Sequence, residues 1–480
     1  IYPRGRGWTD EIIKTTVPGT EKGWMSMANK VNLRELILNI LLEINREGQY
    51  SHLVIRDTLK KYQYLGKQER AFITRVCEGT LEYRIRLDYI LDQYSAVPAA
   101  KMKPVIRELL RSSVYQLLYM DHVPDSAVCN EAVKLARKKG FYNLTGFVNG
   151  VLRKIAREYG SIHFPGREDP VEHLSILYSM PVWLVERFLK EYGFETTEKM
   201  LEAFLQEVPV TIRIREYEVN EESVLKSLRE EKVTVEKAPY ADRAYYIKDY
   251  DYLPGLMAFR KGNIQVQDVS SMLAGEIAAP KEGDYVIDLC AAPGGKSLYL
   301  ADKLHGTGRV DARDLSRTKT DMIRENALRQ NFLNVVVTEK DATQLDSESL
   351  EKADIVLADV PCSGLGVIGK KKDIKYKLNP GKILDLVNLQ RKILEQASTY
   401  VKPGGTLIYS TCTIGKEENL DNIEWFTENY PYELESLDPY LCRELWSETT
   451  RKGYLQLLPG IHKCDGFFMA RLKRKIEWNS

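Results

Sequence analysis

Cys362 and Cys412 each follow a short apolar run of the kind that forms a buried parallel strand. The runs are Ile355-Val-Leu-Ala-Asp-Val-Pro-Cys-Ser-Gly364 and Thr406-Leu-Ile-Tyr-Ser-Thr-Cys-Thr413. Both thiols are therefore expected over one edge of a sheet, where doubly wound folds bind their ligands. Zinc is the rival use of two thiols, but no His stands near them to complete a tetrahedral shell, and no metal is expected. Cys77, Cys129, Cys442 and Cys464 lack such a setting and read as small buried apolar side chains.

A third run, Tyr285-Val-Ile-Asp-Leu-Cys-Ala-Ala-Pro-Gly-Gly-Lys-Ser297, passes into a glycine turn and a helix. The turn Cys290-Ala291-Ala292-Pro293-Gly294-Gly295-Lys296 has neither the GxxxxGK[ST] spacing of a phosphate loop nor the GxGxxG of a dinucleotide site. Its two glycines allow a ligand to approach backbone closely. The following run ends at Asp314, about 20 residues on, where a carboxylate can accept both hydroxyls of a ribose. Asp341, after the next run, suits the adenine side. Acids at successive strand ends without a phosphate loop fit a nucleoside cofactor, and S-adenosylmethionine is expected.

A thiolate beside a methyl donor suits methylation of a pyrimidine ring carbon. Carbon 5 of cytosine is a weak nucleophile until a thiolate adds to carbon 6 and turns it into an enamine, dividing one hard step into easier ones. Asp359, three residues before Cys362, is placed to hydrogen-bond ring nitrogen 3 and assist the addition. A base must then take the carbon 5 proton so that the sulfur can leave. Amine methylation would favour an Asn/Asp-Pro-Pro-aromatic sequence here, and the chain has Asp-Val-Pro-Cys.

The elements needed to position these groups are legible in blocks. From Leu33 apolar residues recur at helical spacing (Leu36, Ile37, Ile40, Leu41, Ile44), and further helices are expected at Gln68–Leu81, Leu87–Tyr94, Pro104–Met120, Ser126–Lys139 with Ser126 as N-cap, and Leu144–Tyr159. After a Pro-Gly linker, two helices and strand-like pieces at Val210–Arg215, Val233–Glu236 and Ala244–Ile247 suggest a small α+β unit. Beyond Gln265 strands and helices alternate, which predicts a mostly parallel, Rossmann-like α/β sheet with helices on both faces. The expected domains are a helical block over 27–160, a linker and α+β subdomain over 161–255, and a catalytic domain over 256–475. Residues 1–26 show no clear period and read as an N-terminal extension outside the domains.

Composition narrows the class further. The 480 residues are 44% hydrophobic and 29% charged, ordinary for a globular protein, and no apolar run approaches the roughly 18 residues of a membrane span. Seven cysteines without a CxxC pair argue against a disulfide framework and fit a reducing cytoplasm. The net charge of +1 is a cancellation: residues 27–160 carry +8 and residues 161–255 carry −7. The basic block is a candidate phosphate-facing surface.

Asp288-Leu-Cys-Ala-Ala-Pro-Gly-Gly-Lys296, Asp359-Val-Pro-Cys-Ser-Gly364 and Ser410-Thr-Cys-Thr413 resemble, in order and spacing, the motifs of the RNA 5-methylcytosine methyltransferases. So do Gln265-Val-Gln-Asp-Val-Ser-Ser271, Glu417-Glu-Asn419 and Asp465-Gly-Phe-Phe468. The block 27–160 resembles the NusB domain through Arg70-Ala-Phe, Tyr115-Gln-Leu-Leu and Phe147-Val-Asn-Gly-Val-Leu-Arg153. Together they cover residues 27–473 and imply an all-α NusB-like domain ahead of a methyltransferase acting on 16S ribosomal RNA. The resemblance makes Cys412 the attacking nucleophile and associates Cys362 with product release. The residues alone leave these roles open, because DNA cytosine methyltransferases attack from the Pro-Cys position. It also places cofactor contacts on Cys290–Lys296, Asp314, Asp341 and Asp359. Asp311 is an alternative ribose acid should the strand register shift. Lys370, Lys371 and Lys372 follow the Pro-Cys loop closely enough to touch RNA phosphates, and Lys375 and Lys377 extend the run. A monomer is expected. The alternatives are the same chemistry on tRNA or another RNA, and a non-enzymatic RNA-binding assembly factor.

Overall fold

Asn32 starts the first described helix, Leu33–Glu47: its side chain accepts the Glu35 N–H at 3.0 Å, and Gly48, at φ 71°, ends it. Between these caps Leu36, Ile37, Ile40, Leu41 and Ile44 are buried, as the sequence period requires. The computed structural model describes residues 31–476, so the extension expected over 1–26 lies outside the described residues. Helices Ser51–Lys61, Lys67–Glu82, Arg84–Tyr94, Pro104–Tyr119, Asp125–Lys138 and Thr145–Glu158 follow. Ser51–Lys61 buries only Ser51, Val54 and Ile55, too narrow a stripe to show as a period in the sequence. Ser126 is not an N-cap: the helix already begins at Asp125, behind an extended Pro124, and places that carboxylate in its first turn.

Two units emerge. The first comprises residues 31–80 and 90–162 of those described, and the second comprises 81–89 with everything from 163 onward. The assignment of 81–89 to the second unit departs from a simple division near residue 160. Cys77 and Cys129 are buried in the first unit, as expected. Cys442, in the second, is exposed. It precedes a short turn in which Leu441 and Leu445 take the buried positions, so the apolar reading of this thiol fails.

The second unit opens with helices Pro170–Leu177 and Val182–Leu205, the latter broken at Gly193 (φ 72°) into the two helices the sequence suggested. An antiparallel sheet follows, built from β1 (Val210–Ile214), β2 (Thr234–Lys237), β3 (Ala244–Lys248) and β4 (Ile264–Val266) in the order β2-β3-β1-β4. The catalytic sheet contains β5 (Tyr285–Asp288), β6 (Arg309–Asp314), β7 (Val335–Glu339), β8 (Ala353–Asp359), β9 (Val401–Thr411), β10 (Tyr432–Leu434), β11 (Tyr454–Leu457) and β12 (Phe467–Arg474). Its order is β10-β12-β9-β8-β5-β6-β7, with β11 also paired to β12. Strands β5 to β9 are parallel, and β10 to β12 add an antiparallel flank. That flank has a use: β12 pairs with β9 so that Phe468 lies opposite Thr411, bringing the Asp465-Gly-Phe-Phe segment beside Cys412. The order reverses between β5 and β8, the point at which doubly wound sheets open a ligand crevice. Among the described residues no helix is long and apolar enough to cross a membrane.

A buried ion pair ties the small sheet to the catalytic one. Asp302, fully buried, accepts from Arg213 Nη1 at 2.8 Å and from the Glu216 and Tyr217 backbone N–H groups. Replacing Asp302 with Ala strands a buried guanidinium, and breaking such a pair costs about 3–5 kcal/mol. Urea denaturation of D302A should show a loss of that order, and an unchanged midpoint would contradict it.

Candidate active site

The first strand of the parallel sheet builds the cofactor turn. Asp288, at the end of β5, is fully buried, and accepts from the Ser297 hydroxyl at 2.6 Å and the Cys290 N–H at 3.4 Å. Burial pushes its carboxyl up to about 7, against the pull of the Ser297 hydroxyl. Gly294 sits at φ 104°, a conformation that favours glycine, and a Cβ there would come tightly against Ile323 at 3.3 Å. Asp314, at the end of β6, straps the turn by accepting the Ala292 N–H at 2.9 Å. Its other oxygen accepts from the Leu315 N–H at 2.8 Å and Lys319 Nζ at 3.0 Å. Asp311 is committed elsewhere: Arg313 Nε donates to it at 2.9 Å, and Thr338 and Tyr285 also donate to it. The strand register therefore puts Asp314, not Asp311, beside the turn. Asp341, beyond β7, is exposed and accepts from its neighbour Thr343.

Asp359 ends β8 between two donors, Lys296 Nζ at 2.7 Å and Ser410 Oγ at 2.7 Å. Lys296 thus links the glycine turn to the strand that leads into Cys362, a role its place in the turn motif did not reveal. The two thiols expected over one sheet edge do meet: Cys362 Sγ and Cys412 Sγ lie 3.3 Å apart. The hydrogen bond from Cys362 holds the Cys412 thiol below its usual value. Burial opposes this, and Lys371 and Lys296 reinforce it over the contrary pull of Asp359. Cys362 is pushed well up by the same bond, by burial and by the nearby Glu418 carboxylate. Of the two thiols, Cys412 is therefore the one whose deprotonation the surroundings favour and Cys362 the one whose deprotonation they oppose. Backbone packs tightly here: the Gly366 N–H donates to Cys412 O at 3.0 Å, and a Cβ on Gly366 would fall 1.9 Å from Gly466 O.

The lysine run divides. Lys370 Nζ bridges Asp268 at 2.8 Å and Asp465 at 2.6 Å, joining three segments that the sequence shows only as separate motifs. Lys370 holds Asp268 low in spite of its burial, while burial pushes Asp465 up to about 7. Lys372 pairs with Glu82, and Lys375 is buried with its Nζ on the Glu82 carbonyl at 2.9 Å. Internal carboxylates thus engage the charges of Lys370 and Lys372, two of the three lysines expected at RNA phosphates. Lys371 is exposed. Among the described residues no group of three or more His, Cys, Asp or Glu is arranged to hold a metal.

A doubly wound sheet with a glycine turn lacking phosphate-loop spacing at its switch point, and two thiols 3.3 Å apart beyond the ends of β8 and β9, has the form of a nucleoside-cofactor enzyme. Comparison with known proteins agrees. Residues 276–473 match the model of the 16S rRNA methyltransferase RsmB/F family, residues 31–157 the NusB family, and residues 180–250 the ferredoxin-like domain of RsmF/B-like methyltransferases. The chain is 36% identical over 452 residues to a probable ribosomal RNA small subunit methyltransferase B of Bacillus subtilis, covering 93% of this chain and 99% of that one. A protein of the same description from Synechocystis is 31% identical over 449 residues, covering 92% and 100%. The crystal structure of PH0851 superposes with a TM-score of 0.76 at 27% identity, covering 93% of this chain and 99% of the other. The chain belongs to the RsmB/F family of ribosomal RNA methyltransferases, with a NusB-like helical domain, a ferredoxin-like subdomain and a Rossmann-like methyltransferase domain.

Proposed function

We propose that this methyltransferase places a methyl group on carbon 5 of a cytosine in 16S ribosomal RNA through a covalent Cys412–cytosine adduct. The observation that carries the reading is the 3.3 Å thiol pair beyond the ends of β8 and β9, in which Cys362 holds the Cys412 thiol below its usual value and so favours it as the attacking sulfur. The +8 charge of the NusB-like block supports an RNA substrate.

The cofactor turn fits a nucleoside. Its glycines keep backbone free of side chains, and Asp314 and Asp359 end the strands on either side of β5, at the same edge of the sheet as the turn. Residues Cys290–Lys296, Asp314, Asp341 and Asp359 would hold S-adenosylmethionine, which supplies a methyl group on a positively charged sulfur. The protein's own groups do the rest. Cys412 adds to ring carbon 6 as ring nitrogen 3 takes up a proton shared with Asp359, which Lys296 holds in place. Carbon 5 thereby becomes the nucleophile. After its proton passes to a base, the carbon 6–sulfur bond breaks and Cys412 leaves as the thiolate, with the Cys362 S–H beside it to stabilise the departing charge. The target cytosine must be unpaired or flipped out to reach this pocket.

Asp314→Ala should weaken S-adenosylmethionine binding by about 1–3 kcal/mol, the scale of losing charged hydrogen bonds to a ribose. Calorimetry reads this directly, and unchanged affinity would remove Asp314 from the site. The function itself is tested by bisulfite mapping of 16S rRNA and tRNA with and without the enzyme. A cytosine that loses its mark only in 16S rRNA supports the reading. A lost mark in tRNA alone, or none anywhere, overturns it.

A further inference from the structure

Two cysteines just beyond the ends of different strands stand 3.3 Å apart, and something must hold them there. The residues on both sides of each cysteine are gripped from one short segment and one helix. Glu418 Oε1 accepts the Ser363 N–H at 2.8 Å and Gln390 Nε2 at 2.9 Å, and its Oε2 accepts the Ser363 hydroxyl. Gln390, on helix Pro380–Tyr400, also donates to Pro361 O at 3.0 Å, so the residues before and after Cys362 are both fixed. The Thr413 hydroxyl donates to Ser363 Oγ at 2.7 Å, which carries the grip across to the Cys412 strand. There Asn419, next to Glu418 in sequence, accepts from the Thr411 hydroxyl at 2.6 Å and donates to Thr413 O at 3.1 Å.

We propose that Glu418 is a positioning residue. It locks the Cys362 loop against the Cys412 strand so that the thiols share one proton, and its charge makes Cys412 rather than Cys362 the attacking sulfur. Glu418 is fully buried and its three donors are neutral. Burying a carboxylate this way is costly, and a neutral side chain could bridge backbone and hydroxyl groups more cheaply. What a neutral group cannot do is disfavour a thiolate at Cys362. The other charged or titratable groups acting on the pair are Lys371, Lys296 and Asp359 around Cys412, and Tyr409 beside Cys362. The two lysines draw negative charge towards Cys412, and Glu418 repels it from Cys362. The segment Glu417-Glu-Asn419 is thereby explained as a clamp with a charge.

The inference rests on the Cys412 reading, and the experiment separates the two. Full-length Glu418→Gln is compared with wild type by unfolding midpoint, S-adenosylmethionine affinity, methyl transfer to transcribed 16S rRNA, and the pH profile of iodoacetamide alkylation at each cysteine, resolved by peptide mass mapping. The expected result is unchanged cofactor affinity, kcat lower by about 100-fold as for a reacting group misplaced by about an ångström, and a Cys412-over-Cys362 alkylation preference lower by about 10-fold. The Cys412 alkylation profile should move to higher pH and that of Cys362 to lower pH. Ser363→Ala, which deletes only the hydroxyl link, should lower kcat less and keep the preference. It carries the test if Glu418→Gln does not fold. Wild-type kcat and preference in a folded Glu418→Gln would overturn the inference while an inactive Cys412→Ala left the functional reading standing. Wild-type kcat in Ser363→Ala, should Glu418→Gln not fold, would overturn it too. A fully active Cys412→Ala would bring down the functional reading itself.

Discussion

Cys412→Ala is expected to lower methyl transfer to 16S rRNA by at least about 10⁴-fold, the scale on which loss of a covalent nucleophile acts. Cofactor affinity should stay within twofold, because the hydrogen bonds that shape the turn come from Asp288, Asp314 and Lys296 and none passes through Cys412. Cys362 is only 3.3 Å away, yet it is a poor substitute. The Glu418 carboxylate sits behind it and favours the protonated thiol, while Lys371 and Lys296 favour the thiolate on the Cys412 side. Incorporation of labelled methyl groups at saturating cofactor measures the effect. Full activity in the variant would refute the nucleophile assignment.

What could be read from the sequence followed from locality. The glycine turn, the acids at strand ends and the two thiols all lie at the carboxyl ends of apolar runs, and alternation of strand and helix is enough to bring such ends together. The helical block was legible because its apolar period is long and regular around Ile37, Leu41 and Ile44. The antiparallel flank was not, since β10 and β11 are only three and four residues long and gain their stability from pairing with β12. The internal partners of Lys370 and Lys372 were not legible for a related reason. A sequence shows that positive charges cluster, but Asp268 and Asp465 flank Lys370 only after residues about a hundred positions or more away have folded against it. Glu418 belongs to the same class. Its segment stood out as part of a motif, whereas its action depends on a loop 55 residues earlier in the chain. Local chemistry could be inferred from residue types, while the groups that tune it became visible only in three dimensions.

Cys362→Ala should behave in the opposite way to Cys412→Ala: attack survives and release fails. Cys412 remains to add to carbon 6, flanked by Lys371 and Lys296, though without the hydrogen bond that holds it below its usual value. Its alkylation profile should therefore shift to higher pH, because losing the donor raises a thiol that the donor had held low. Single-turnover adduct formation should slow correspondingly at neutral pH and recover as the pH rises. Release has no such recovery. Elimination places negative charge on a buried sulfur, and with Cys362 gone no thiol stands at 3.3 Å to accept that charge as a hydrogen bond. Multiple turnover should fall by about 10²–10⁴-fold, the range in which a positioned proton donor contributes. A covalent protein–RNA species should accumulate on denaturing gels and disappear in the Cys362→Ala, Cys412→Ala double variant. Normal turnover with no adduct would remove the release role and leave Cys362 only as the partner that tunes Cys412.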